Sequence, residues 1–344
     1  MPARPRVSRS TSPERAILPT DAPRTQAGPP PEHGPALGLT VLLSVLAGAA
    51  MAVQSTANGE LRTLTGNAVE AALVSFGLGL VLLALLLVLP GMRAGVAAIR
   101  GALRAGTLRP WQTVGGLAGA LLVLVQASAV PVIGVALFTV AFVAGQTGNA
   151  LVVDRSRLGP GVPQPIRPAR VAAAALAVVG VAVAVSGRIG SAGFAIVPVV
   201  LALLVGGLSM VQQAVNGRVN QASGHPLATT LVNFAWGTSL LVLVGLVQTL
   251  RGAHWASLAG APWWAFLGGP LGLVFIGVGA WAVKHGGTLL FALSSLLGNI
   301  GTAVLLDLLS PAHRDEIGPA SLLGVAVTFA AAALAAVSAR RAAR

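Results

Sequence analysis

The chain has 344 residues, of which 55% are apolar and only 9% charged, with a mean hydropathy of +0.83 and a net charge of +13. A water-facing domain carries about 25% charged residues, so lipid must cover part of this surface and a soluble globular fold is excluded. There is no cysteine, the five histidines form no pair at metal-ligand spacing, and no phosphate-binding loop accompanies the single lysine, Lys284. Disulfides, thiolate chemistry and nucleotide-driven pumping therefore have no support, and neither a metal nor a cofactor is expected.

Residues 1–35 are rich in Pro, Ser, Thr and Arg without apolar periodicity, which predicts a disordered cytoplasmic tail. Ten apolar runs follow, at about 36–57, 68–89, 113–130, 132–153, 170–187, 193–214, 227–250, 262–282, 287–309 and 320–339. Each matches the roughly 20 residues that one bilayer crossing needs. Pro131 is expected to separate the third from the fourth, and Lys284-His285-Gly286-Gly287 the eighth from the ninth. With both termini cytoplasmic, only Arg62, Arg188, Arg251 and Arg314 fall outside, against 18 of the 22 basic residues inside. That asymmetry is the positive-inside bias, and it accounts for the charge without nucleic acid.

The chain repeats itself. Val53-Gln54-Ser55-Thr56-Ala57-Asn58-Gly59 returns 158 positions later as Val211-Gln212-Gln213-Ala214-Val215-Asn216-Gly217, and Val53–Leu83 keeps 11 of 31 residues at that offset. At offset 153, the stretch from Gly145 to Asp154 answers Gly298 to Asp307, and Trp111, Gly115, Gly116 and Gly119 answer Trp264, Gly268, Gly269 and Gly272. The division expected is a first five-helix repeat over 36–188, a second over 189–340, and a short cytoplasmic tail at 341–344. Five is odd, so the second repeat must enter the membrane from the opposite side. The fold class is then all-α integral membrane, ten transmembrane helices as two inverted five-helix repeats, the build plan of secondary transporters.

The pattern Gln-x-x-x-Asn-Gly ending a first span, followed by Ser/Asn-Phe in the second, resembles the drug/metabolite transporter superfamily. Closer still is its subgroup of bacterial inner-membrane exporters, whose small members carry one five-span repeat. Pro262-Trp263-Trp264-Ala265-Phe266-Leu267-Gly268-Gly269 and Pro131…Gly134…Gly145-Gln146…Asp154 fit the same pattern, so the chain looks like a fused, EamA-like form of two such members over about 38–339. The second half departs at Gly298-Asn299 and at Lys284-His285. The resemblance implies multi-pass insertion in the bacterial inner membrane and export of small metabolites or drug-like compounds.

Gln54 and Asn58 stand four apart and share a helix face, as do Gln212 and Asn216. Amides in a bilayer face the protein interior, so they either contact substrate from two symmetric sides or tie neighbouring helices together. Gln146 with Asn149, and Asn299 with Thr302, repeat the idea at spacing three. Gln126, Asn233 and Trp236 are single polar or aromatic groups in apolar runs and are candidates for the same cavity. The other tryptophans lie near span ends and read as interfacial anchors.

Asp154 and Asp307 end the fourth and ninth spans, where a carboxylate meets the unfavourable end of the helix dipole. They are either solvated edge charges or latches on opposite faces. Glu70, the one acid inside a span, is a coupling candidate or a side chain reaching for water. No span centre carries a fixed charge, which favours a neutral, zwitterionic or lipophilic cargo. The expected function is a secondary transporter rather than an enzyme, with a small-molecule substrate, membrane lipid and a second copy of the chain as partners. The alternatives are a membrane-embedded enzyme acting on lipid, for which no acid, base and nucleophile converge, and a non-transporting scaffold.

Overall fold

The computed structural model describes residues 37–160, 165–187 and 196–342, and among these there is helix and no strand. The expected N-terminal tail, Arg188 and the end of the chain lie outside the described residues. Helices α1 (Leu37–Thr65), α2 (Ala68–Leu85), α3 (Pro90–Arg104), α4 (Gly116–Arg155) and α5 (Pro168–Ser186) make the first half. Helices α6 (Ile196–Ser223), α7 (Pro226–Leu250), α8 (Gly268–Leu309) and α9 (Pro319–Ala342) make the second. Nine stretches among the described residues are long and apolar enough to cross a bilayer, with Pro110–Arg155 counted as one.

Local chemistry sets the turns. Gly66 at φ 68° ends α1, and the Asn67 side chain caps α2 by accepting from Val69 N–H at 2.9 Å. Gly224, at φ 63°, repeats that turn between α6 and α7. Helix α3 was not anticipated as an element. It is a short amphipathic helix that buries Met92, Gly95 and Ile99 and leaves Arg93, Arg100 and Arg104 exposed. Its buried stripe packs on Val219 and Ala228, over the turn that joins α6 to α7. Among the described residues of the second repeat, no helix follows α7 before Trp263.

The 40 residues of α4 would span about 60 Å if straight, twice a bilayer core. The helix turns at Gly134, with φ 75° and ψ 167°, three residues beyond the expected separation at Pro131. Proline removes a hydrogen bond but keeps a helical φ, whereas the reversal needs a positive φ that only the glycine accepts. Helix α8 turns back too. Phe275 and Phe291 lie 16 residues apart, about 24 Å along a straight helix, yet their rings are 5.5 Å apart.

The two halves hold each other through equivalent residues. A Cβ on Gly48 of α1 would strike the Ser295 carbonyl of α8, and one on Gly298 would strike that of Val45. At the repeat positions, Gly206 of α6 meets the Phe142 carbonyl of α4, and Gly145 meets that of Leu203. Gly79 packs on Phe234 just as Gly237 packs on Phe76, and the two rings sit 4.8 Å apart. These glycines let backbones approach more closely than any side chain permits, which replaces the missing hydrophobic drive in lipid. The largest buried apolar cluster lies where α4, α5, α1, α6, α8 and α9 meet, and includes Ala52, Ile133, Val140, Ala177, Ala202, Ala303 and Ala331.

Candidate functional site

A cavity of about 380 Å³ opens between α6, α7, α2 and α8. Gln212, Asn216 and Asn220 line it from α6, four residues apart and so stacked on one face. Thr229, Thr230 and Asn233 face them from α7 by the same logic, and Phe76, Phe234 and Ile276 supply the apolar wall. Gln213, Gly217 and Pro226 complete the lining. Among the described residues, none that lines it carries a charge. Asn233 is only 8% exposed; its amide nitrogen donates to the Thr229 carbonyl at 3.2 Å, while its Oδ1 has no hydrogen-bond partner. A buried amide oxygen left unpaired costs about 1–3 kcal/mol, and this one faces Gly115 at the start of α4, where a Cβ would lie 3.1 Å from it.

The same place in the first half is filled. Asn58 and Gln126 are 0% and 3% exposed. The Asn58 amide donates to Gln126 Oε1 at 2.6 Å, and the Gln126 amide donates to Ser55 Oγ at 2.6 Å. At the repeat positions stand Asn216, Gly279 and Gln213. Glycine at 279 leaves out the side chain that in the first half bridges α4 to α1, and the Phe291 ring lies 2.8 Å from where its Cβ would sit. Gln54 lies beside Gly272 with its Oε1 unpaired, and Asn58 Oδ1 is also unpaired and buried.

The remaining candidates disperse. Gln146 donates to Ser209 Oγ at 3.0 Å and Asn149 to the Gly207 carbonyl at 2.6 Å, so both tie α4 to α6. Asn299 sits half-buried where α8 crosses Gly48 of α1. Trp236 donates to Thr113 Oγ1 at 3.2 Å and is not part of the cavity wall. Glu70 is 5% exposed instead of reaching water, because the loop after α7 folds over it and the Ala256 N–H donates to its Oε2 at 3.1 Å. Asp154 pairs with Arg170 at the start of α5. Asp307 is not an edge charge: it is 1% exposed and accepts from backbone N–H groups of α4.

Sequence reasoning singled out Gln212, Asn216 and Asn233 and missed Gln213, Asn220, Thr229, Thr230 and the phenylalanine pair as a wall. The four-residue spacing from Gln212 to Asn220 was the available signal. Thr229 and Thr230 gave none, since threonines are common in membrane helices as backbone-bonded spacers.

The family model described as "Putative inner membrane exporter, YdcZ" matches the chain twice, over residues 39–183 and again over 197–334. No curated protein matches the chain. One solved structure, described only as the crystal structure of a protein, is similar over 89% of this chain and 98% of its own, with 22% identity and a TM-score of 0.47. That likeness is too weak to carry an argument about function.

Proposed function

Since the chain belongs to the YdcZ family of inner-membrane exporters, we propose that it is a secondary carrier that moves a small molecule by alternating access. The observation that carries this reading is the contrast between the open cavity of the second half and its sealed counterpart in the first. Two repeats with the same scaffold, one open and one shut, are what a carrier caught facing one side requires.

Counting the turn of α4 at Gly134 as a reversal makes ten crossings out of nine stretches, five per half. The reciprocal glycine contacts support a pseudo-two-fold relation between the halves, and an odd number of crossings puts its axis in the membrane plane. With both termini cytoplasmic, Arg218 beside the cavity mouth and the exposed arginines of α3 fall on the cytoplasmic side, as the positive-inside bias favours. The cavity is then open inward, and the cluster of Asn58, Gln126 and Ser55 closes the outer side.

The wall defines the cargo class. Amide and hydroxyl groups beside a phenylalanine pair, with no charge among them, suit an uncharged molecule with hydrogen-bond donors and an apolar face. A fixed charge brought here would lose its hydration without gaining a counter-ion.

The cysteine-free chain gives a direct test. Thr230→Cys in the cavity and Ser75→Cys beside the sealed cluster, where buried Ser75 and Asn58 both face Gly268, serve as reporters for a membrane-impermeant maleimide, applied to right-side-out and inside-out vesicles. A carrier predicts that Thr230→Cys reacts from the inner face and Ser75→Cys, more slowly, from the outer face. Reaction of neither reporter from any face would leave a closed scaffold and end the carrier reading. Comparing metabolites exported by a deletion strain and its parent then narrows the cargo.

A further inference from the structure

Asp154 and Asp307 occupy matching positions in the repeat, yet the structure treats them differently. Asp307 reaches from the end of α8 to the turn of α4, where the Val135 N–H donates to its Oδ1 at 2.8 Å and the Ala136 N–H to its Oδ2 at 2.7 Å. These N–H groups open the helical segment that follows Gly134; in an unbroken helix they would bond the carbonyls of Pro131 and Val132. The reversal removes those acceptors, and a carboxylate suits the positive end of a helix dipole. The fit is close: a Cβ on Gly134 would lie 2.6 Å from Asp307 Oδ2.

Asp154 holds no such turn. Its carboxylate is engaged by Arg170, a buried guanidinium in the first turn of α5. The repeat position of Arg170 is Leu323, so this arrangement is written into one half only.

The two aspartates also lie at opposite ends of the bundle. Beside the turn that Asp307 holds, a Cβ on Gly59 would fall 3.1 Å from Val130 Cγ1 and 3.5 Å from Pro131, next to the sealed cluster around Asn58. Beside Asp154, Arg218 donates to the Leu158 carbonyl at 2.6 Å, and a Cβ on Gly217 would fall 2.9 Å from Pro160, both next to the cavity mouth. The closed face therefore has its carboxylate docked across the two halves, and the open face has its carboxylate docked elsewhere.

We propose that Asp307 is the latch that holds the sealed face shut, and that Arg170 biases the carrier towards this state by keeping Asp154 from forming the matching latch on the cavity face. The proposal rests on the carrier reading and adds the residues that set its resting direction. Each aspartate acts by stabilising one of two states, so removing a latch must move reporters on both faces in opposite senses.

The test uses the same two cysteine reporters in the full-length chain in vesicles. Asp307→Asn should raise outer-face labelling of Ser75→Cys about tenfold or more and lower inner-face labelling of Thr230→Cys. Arg170→Gln frees Asp154 without touching the outer latch, so it should shift each reporter in the direction that Asp307→Asn does, by about threefold. Adding Asp154→Asn to Arg170→Gln should cancel that shift, since the freed carboxylate is its cause. Unchanged reporters in Asp307→Asn, or a double variant that behaves like Arg170→Gln alone, would overturn the latch. If Asp307→Asn does not fold, the comparison of Arg170→Gln with the double variant decides the matter alone. If Ser75→Cys is never labelled from outside in the otherwise unaltered chain, it is the carrier reading that fails.

Discussion

The sealed cluster around Asn58 and the cavity around Asn216 stand on one repeated scaffold that keeps the Gln, Asn, Gly and Phe positions, while Thr229, Thr230, Asn233 and Asn220 replace Ala71, Ala72, Ser75 and Arg62. In the first half, Gln126 bridges Asn58 to Ser55 and leaves no room. In the second, those three places hold Gly279, Asn216 and Gln213, and a cavity of about 380 Å³ remains. The helix crossings beneath the two sites are the same, down to the carbonyls that Gly48 and Gly206 touch. Duplication thus supplied a common scaffold, and the side chains set on it differ between the filled and the open site.

The shared scaffold can be broken first. Gly48→Leu and Gly206→Leu each drive a side chain into a backbone carbonyl of the partner helix, where neither side can yield by rotating a side chain. Overpacking costs about 1–3 kcal/mol where side chains can adjust, and these two should lie at or above the top of that range. Unfolding titrations in mixed micelles should give the two variants similar losses. A large loss in one and none in the other would show that the halves do not share these contacts.

The next variants address the difference itself. Gln126→Gly copies the second half into the first and removes two interhelical hydrogen bonds, leaving Asn58 further unsatisfied. Such bonds average about 0.6 kcal/mol each in a membrane bundle, and the space left adds to that, so a total loss of about 2 kcal/mol is expected. Ser75→Cys should react faster from the outer face in this background. Gly279→Gln makes the opposite exchange. The new side chain must displace the Phe291 ring, which lies 2.8 Å from where its Cβ would sit, and it should lower labelling of Thr230→Cys severalfold. If neither exchange moves its reporter, the open and filled sites owe their difference to something other than this pair of positions.

Much of this was legible from residues alone, for reasons that can be named. The helices follow from apolar runs of bilayer length, and the duplication from the spaced Gln, Asn and Gly identities that survive in both halves. The turn of α4 was misplaced by three residues because proline is the visible helix breaker, while the reversal depends on a positive φ that only Gly134 supplies. Helix α3 went unread because an amphipathic stretch of 15 residues between arginines looks like a basic loop until its buried stripe finds a partner. The amides at Gln212 and Asn216 were picked for their spacing, but spacing treated Gln54 and Asn58 identically. What separates them lies on other helices, at Gln126 against Gly279 and at Ala71, Ala72 and Ser75 against Thr229, Thr230 and Asn233, and no pattern along one helix reports it.

The smallest effects sharpen the comparison most, because they separate amides that pack from amides that face the open space. Asn149 donates to the Gly207 carbonyl at 2.6 Å and belongs to the scaffold, so Asn149→Ala should cost about 0.6 kcal/mol of stability and leave the reporters unmoved. Asn216 lines the cavity and is half-buried, so Asn216→Ala should cost less than that in an unfolding titration. In a cell that depends on export, the order should reverse, with Asn216→Ala the more damaging of the two. Stability and export loss that rise and fall together across this pair would mean that the amides of the second half are packing groups like those of the first.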